Sequence, residues 1–294
     1  MKKTVFTGSG VALVTPIRNG KVDFDKLGEL LDFHIANGTD SIILCGTTGE
    51  APTLPDDEHL KIFDYAADRA GGKIPLIGGT GSNFTDHAIE FSKYAQKCGL
   101  DGVLCVTPYY NKSTQKGLVK HYNAIANAID IPVILYNVPS RTGVNLTPEI
   151  YAELSEIPYI TSIKEAGGNA VSWLSCVKKC GKKLTLYSGN DAETLQMMAV
   201  GAKGVVSVAS NAAVKRMSDI CHAELCGNRQ SAVDGFLECA ELFDVLFREV
   251  NPVPIKYAMY RMGFCKNELR LPLTSASPDT EKAVDRVLSE LGLI

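Results

Sequence analysis

Lys164 stands near the end of an apolar, strand-like run, Tyr159-Ile160-Thr161-Ser162-Ile163-Lys164-Glu165-Ala166, and Gly167-Gly168 follow at once. Burying an ammonium is costly, so a buried lysine is pushed toward the neutral amine. A neutral lysine amine attacks carbonyl carbon and forms a Schiff base. Alternate residues of a strand share a face, which groups Ile160, Ser162 and Lys164. In the run from Pro132 to Tyr136, Ile134 and Tyr136 share a face in the same way. If both faces point inward from neighbouring strands, a phenol lies beside the amine. That pair suits the proton transfers of making and breaking an imine. Each residue also has a commonplace reading. Lys164 alone reads as a strand-end lysine reaching water, and Tyr136 alone as a core tyrosine with a bonded hydroxyl.

The elements that carry these residues repeat one pattern. Short β-branched runs at 10–15, 41–45, 75–78, 102–107, 132–136, 159–164, 184–187 and 204–208 alternate with segments of helical period. The runs are almost continuously apolar, as strands of a parallel sheet buried on both faces must be. Between them, Phe24, Leu27, Leu31 and Ile35 form a stripe behind a capping Asp23, and Val119, Tyr122, Ile125 and Ile129 form another. Thr147-Pro148-Glu149 reads as a helix start, and Gly38, Gly99, Gly181 and Gly201 as helix ends. Eight such units predict an α/β chain folded as a closed (β/α)8 TIM barrel. No Gly-x-Gly-x-x-Gly follows the first strand, which speaks against a dinucleotide fold. The expected barrel covers residues 1–227. A C-terminal helical appendage covers 228–294, with helical stretches at 230–250, 253–262 and 279–291.

Chemistry in such a barrel sits at the C-terminal strand ends. Those ends read Gly46-Thr47-Thr48-Gly49-Glu50, Thr107-Pro108-Tyr109-Tyr110-Asn111-Lys112, Tyr136-Asn137-Val138-Pro139-Ser140-Arg141-Thr142-Gly143, Lys164, and Ser188-Gly189-Asn190-Asp191. Singly, Arg141 is a surface loop charge, Gly46–Gly49 a tight turn and Tyr109-Tyr110 loop packing. Gathered on one rim, they read as a site. Glu165 faces away from Lys164 and is taken as structural. The five histidines, at 34, 59, 87, 121 and 222, fall in or beside helices and receive no catalytic role.

Composition narrows the classes further. The 294 residues are 45% apolar and 21% charged, with a formal net charge of −3. No basic stripe suits nucleic acid, and no apolar run is long enough to cross a bilayer. The start, Met1-Lys2-Lys3-Thr4-Val5-Phe6, lacks the apolar core of a signal peptide. Nine scattered cysteines without metal spacing fit a reducing, cytoplasmic setting and predict no metal site.

The five strand-end motifs together resemble the dihydrodipicolinate synthase (4-hydroxy-tetrahydrodipicolinate synthase) family, within the N-acetylneuraminate lyase and class I aldolase superfamily. The resemblance runs from about residue 6 to Leu271-Pro272-Leu273. It implies a lyase of lysine and diaminopimelate biosynthesis. Lys164 attacks the keto carbon of pyruvate, and the derived enamine adds to the aldehyde of L-aspartate-4-semialdehyde. Ring closure then releases 4-hydroxy-tetrahydrodipicolinate. Tyr136, Thr47 and Tyr110 form a proton relay, with the Tyr110 equivalent supplied by the adjacent subunit. Thr48 holds the pyruvate carboxylate and Arg141 that of the semialdehyde. Gly189 and Val206 match positions whose main chain lines the pyruvate pocket. The resemblance further implies no cofactor beyond the Lys164 imine, and a homotetramer built from tight dimers.

One departure stands out. Lysine-inhibited members carry a histidine at the Asp56 position and a glutamate at the His87 position. Here Ala51, Pro52, Asp56 and His87 differ, while His59, Asn83 and Tyr109 are kept. Weak or absent lysine inhibition is therefore expected. The rivals are N-acetylneuraminate lyase, a 2-keto-3-deoxy-sugar-acid aldolase, a non-catalytic keto-acid-binding barrel, and a phosphate-binding barrel enzyme. Arg141 in Pro-x-Arg-Thr-Gly favours a small acidic aldehyde over a polyhydroxy one. No basic residue completes a phosphate site beside Ser188-Gly189-Asn190.

Overall fold

The structure, a computed structural model, describes residue 2 and residues 4–294. Met1 and Lys3, part of the charged N-terminal stretch, lie outside the described residues. Eight parallel strands close into a barrel: β1 (Gly8–Ala12), β2 (Ser41–Leu44), β3 (Leu76–Gly79), β4 (Gly102–Val106), β5 (Val133–Asn137), β6 (Ile160–Glu165), β7 (Thr185–Ser188) and β8 (Gly204–Ser207). All eight apolar runs of the sequence are therefore barrel strands. The first ends at Ala12 rather than Thr15, because the chain then leaves the sheet for a small hairpin, Ile17–Arg18 against Lys21–Val22.

Two apolar layers follow from the alternation of side chains. Ala12, Ile43, Ile77, Leu104, Ile134 and Tyr136 fill the interior, while the outer faces pack against the surrounding helices. The interior layer includes the stacked rings of Phe6 and Tyr187, with centroids 4.3 Å apart. Gly10 leaves room for the Phe6 ring, which a β-carbon there would approach to 2.7 Å.

Simple alternation fails at one place on β6. Val133 pairs with Ile160, but Ile134 pairs with Ser162, so Thr161 is an extra residue on that strand. Ile160 consequently packs with the outer layer and does not share the face of Ser162 and Lys164. The register recovers beyond the bulge, and Tyr136 pairs with Lys164 as the sequence predicts.

The helices follow their caps. Asp23 accepts from Lys26 N (3.3 Å) and opens the helix Phe24–Ala36, which buries Leu27, Leu30 and Leu31. Thr147 accepts from Ile150 N (3.5 Å) ahead of Pro148–Leu154. Ile129 lies beyond the end of Gln115–Ala126 yet is buried all the same. The stretch expected as one helix over 230–250 divides at Cys239 into Arg229–Glu238 and Ala240–Val245. The helices Val253–Arg261 and Pro278–Glu290 follow. Ala240–Val245 contacts the turn Asp191–Glu193 after β7, and Val253–Arg261 contacts the turn Ala209–Asn211 after β8. The C-terminal helices thus lie against the rim formed by the strand ends.

Three histidines are buried in helices around the barrel: His34 in Phe24–Ala36, His59 in Asp56–Ala70 and His121 in Gln115–Ala126. Burial pushes His34 down to about 3, and His59 and His121 to about 4. Each binds a proton more readily in the unfolded chain, so stability is present above the ordinary histidine value and is lost as pH falls toward 4. Lowering the pH from 7 to 5 is expected to cost about 2 kcal/mol per histidine. Denaturant unfolding at the two pH values checks this, and equal stabilities would contradict it.

Candidate active site

Strands β5 and β6 place Tyr136 and Lys164 directly opposite one another, and Lys164 Nζ lies 4.2 Å from the centre of the Tyr136 ring. Both side chains are nearly enclosed, at 5% exposure for Lys164 and 6% for Tyr136. They line a cavity of about 550 Å³ that Thr47, Thr48, Arg141 and Gly189 also line. A carbonyl compound entering it meets a lysine nitrogen, a phenol, two threonine hydroxyls and a guanidinium. This donor set can form an imine, move protons around it and hold carboxylates.

The supports for these groups are visible around them. Glu165 faces away from Lys164, as alternation predicts. It accepts from Tyr151 Oη (2.6 Å), Asn137 Nδ2 (3.1 Å) and Gly167 N (2.6 Å), and burial pushes its carboxyl above the usual range. These bonds pin the strand end that carries the lysine. Asp191 is buried, and its Oδ2 accepts from Val208 N (3.0 Å) and Ala209 N (2.9 Å), tying the turns after β7 and β8 together. Burial raises its carboxyl too.

The C-terminal helices supply residues that sequence reasoning missed. Asn251, just before the helix Val253–Arg261, donates through Nδ2 to Thr48 Oγ1 (3.0 Å). Its carbonyl oxygen accepts from Arg141 Nη2 (3.1 Å). One asparagine therefore touches both candidate carboxylate-binding side chains, and it also lines the cavity. Lys256 is fully buried and pairs with Glu50 of the Gly46–Glu50 loop at 2.5 Å. Its signal lay in the sequence, since a lysine inside Val253-Pro254-Ile255-Lys256-Tyr257-Ala258-Met259 is the same anomaly as Lys164.

Two of the expected site residues are not brought to the cavity. Tyr110 is 92% exposed with φ +68° and is not among the lining residues. Val206 is buried in the barrel interior with Ala12 and Tyr136, and Val208 lines the cavity in its place. A second cavity of about 370 Å³ adjoins the first, since Thr47, Tyr136 and Arg141 line both. Its wall includes His59, His87 and Tyr109. His87 Nε2 stands 3.5 Å from Asp56 Oδ1, so the two residues that depart from the inhibited pattern face each other. Among the described residues no cluster of three metal-ligating side chains occurs, and no helix is long and apolar enough to cross a membrane.

Known proteins agree with this arrangement over the whole chain. The family model described as the dihydrodipicolinate synthetase family matches residues 5–291. A 4-hydroxy-tetrahydrodipicolinate synthase of Thermoanaerobacter sp. is 47% identical over 291 residues, covering 99% of this chain and 98% of the relative. The crystal structure of the dihydrodipicolinate synthase from Aquifex aeolicus superposes with a TM-score of 0.96 at 45% identity, covering 98% of this chain and 99% of that one. The chloride-inhibited enzyme from Acinetobacter baumannii, solved in complex with pyruvate, superposes with a TM-score of 0.96 at 42% identity, again over 98% and 99%. With a closed eight-stranded barrel, a lysine and a tyrosine paired at its rim, and this agreement along its length, the chain belongs to the dihydrodipicolinate synthetase family.

Proposed function

We propose that the protein condenses pyruvate with L-aspartate-4-semialdehyde to give 4-hydroxy-tetrahydrodipicolinate, the reaction that opens the diaminopimelate branch of lysine biosynthesis. The observation that carries this reading is the enclosed Lys164–Tyr136 pair in a cavity that also exposes Arg141. Lys164 Nζ adds to the keto carbon of pyruvate, and water leaves to give the imine. Loss of a methyl proton yields the enamine, whose carbon attacks the semialdehyde carbonyl. The substrate amine then displaces Lys164 Nζ and closes the ring. Tyr136, with Thr47, passes the protons. Thr48 holds the pyruvate carboxylate and Gly189 contributes main chain to that pocket, while Val206 stands behind it in the barrel interior. Tyr110 is supplied by a second copy of the chain, consistent with its exposure here, and the assembly is a homotetramer of paired dimers in the cytoplasm. No cofactor beyond the imine is required. Residues 1–227 act as the barrel, and 228–294 as an appendage that closes one wall of the site.

Borohydride reduction in the presence of pyruvate, followed by peptide mass spectrometry, tests the first step. An adduct on any residue but Lys164 contradicts it. Condensation with aspartate semialdehyde, set against cleavage of sialic acid or a 2-keto-3-deoxy sugar acid, tests the second substrate. Arg141 decides that choice, because its guanidinium matches a planar carboxylate in two parallel bonds. Arg141→Ala is expected to raise the KM for the semialdehyde at least about tenfold, with the KM for pyruvate within about twofold. Equal rises in both would remove Arg141 from this role.

The pairing of His87 with Asp56 supports the expectation of weak lysine inhibition, because a histidine replaces the carboxylate that would meet the effector's ammonium. Half-inhibition at sub-millimolar lysine in an initial-rate assay would contradict it.

A further inference from the structure

The loop Gly46–Glu50 is held from behind by charges that no solvent reaches. Lys256 and Glu50 have side-chain exposures of 0% each. Lys256 Nζ donates to Glu50 Oε1 (2.5 Å) and to Thr15 O (2.7 Å), and Arg270 N donates to Glu50 Oε2 (3.2 Å). Glu50 itself sits at φ +58°, a left-handed conformation that costs energy in any residue with a β-carbon. That conformation returns its N–H to Thr47 O (3.1 Å) and so tightens the turn that presents Thr47 and Thr48. Thr15 Oγ1 donates to Gly49 O (2.7 Å), and Asn251 reaches Thr48 from the start of the same helix that carries Lys256.

We propose that the Lys256–Glu50 pair is a positioning device, by which the helix Val253–Arg261 sets the Thr47–Thr48 loop for the carboxylate of the keto-acid substrate. This rests on the reading above that the loop holds the pyruvate carboxylate. A buried ion pair adds little net stability over apolar groups of similar volume, whereas removing one partner strands a buried charge. What the pair supplies that apolar packing does not is direction. Hydrogen bonds fix the Glu50 carboxylate in a single orientation and, through it, the strained backbone of the turn. Neither residue lines the cavity, so their influence on substrate passes through the loop.

The double variant E50Q/K256M removes both charges and keeps the volumes. It is expected to melt within a few degrees of the parent protein. Its KM for pyruvate should rise at least about tenfold, while the KM for the semialdehyde changes less than about twofold. Borohydride trapping separates carboxylate positioning from general loosening. The pyruvate concentration for half-maximal trapping at Lys164 should rise by the same factor, and trapping of acetone, which has no carboxylate, should be unchanged. Equal losses with pyruvate and acetone, or an unchanged pyruvate dependence, would overturn the proposal. If circular dichroism shows the double variant unfolded, E50D, which keeps both charges but draws the carboxylate back by one methylene, reads the same split. Failure of the parent protein to trap pyruvate at Lys164 would overturn the catalytic reading instead.

Discussion

Lys164→Arg is expected to abolish pyruvate trapping and to lower the condensation rate at least about a thousandfold. Arginine keeps nearly the length of the side chain and a basic nitrogen group at its end, so packing in the cavity changes little. It loses the free electron pair, because a guanidinium is not deprotonated in proteins. The substitution therefore separates a lysine that stabilises charge from one that forms a covalent bond. Lys164 is enclosed, lies against the Tyr136 ring and shares its cavity with Arg141, and among the described residues no second lysine lines that space to replace it. Mass spectrometry after reduction with pyruvate, alongside a steady-state assay, reads both effects. Residual activity above about a hundredth of the parent rate would mean that the chemistry does not pass through a Lys164 imine.

Tyr136→Phe is expected to lower kcat about a hundred- to ten-thousandfold, the range spanned by a positioned general acid or base. Phenylalanine retains the ring that lies 4.2 Å from Lys164 Nζ and leaves the interior packing with Ile134 and Leu104 in place. Only the hydroxyl is lost. Stability should therefore change little, and the KM for pyruvate should move far less than kcat. Imine formation and collapse both need a proton delivered or removed at nitrogen or oxygen, so single-turnover trapping should slow along with the steady state. A kcat within threefold of the parent value would assign the proton transfers to another group.

Much of the site was legible in the chain because barrel chemistry is confined to one end of each strand. Once the eight apolar runs are found, the residues after each are candidates, and Thr47, Arg141, Lys164 and Gly189 follow directly. Period-two alternation then puts Tyr136 beside Lys164, and the register agrees. Alternation could not foresee the bulge at Thr161, because a strand accepts an extra residue without any change in composition, and that bulge turned Ile160 outward. Cys239 divided an expected single helix for a similar reason, since no glycine or proline marks the break.

The local pattern of the sequence determined the strand ends, the lysine anomaly and its phenol partner, because each is a matter of spacing within or between adjacent strands. Tertiary structure alone decided what stands behind the site. Asn251 lies 203 residues from the threonine it contacts, and Lys256 lies 206 residues from Glu50. No periodicity spans such separations. These contacts exist only because the C-terminal helices fold back over the barrel rim, burying apolar faces that the strands and their helices leave uncovered.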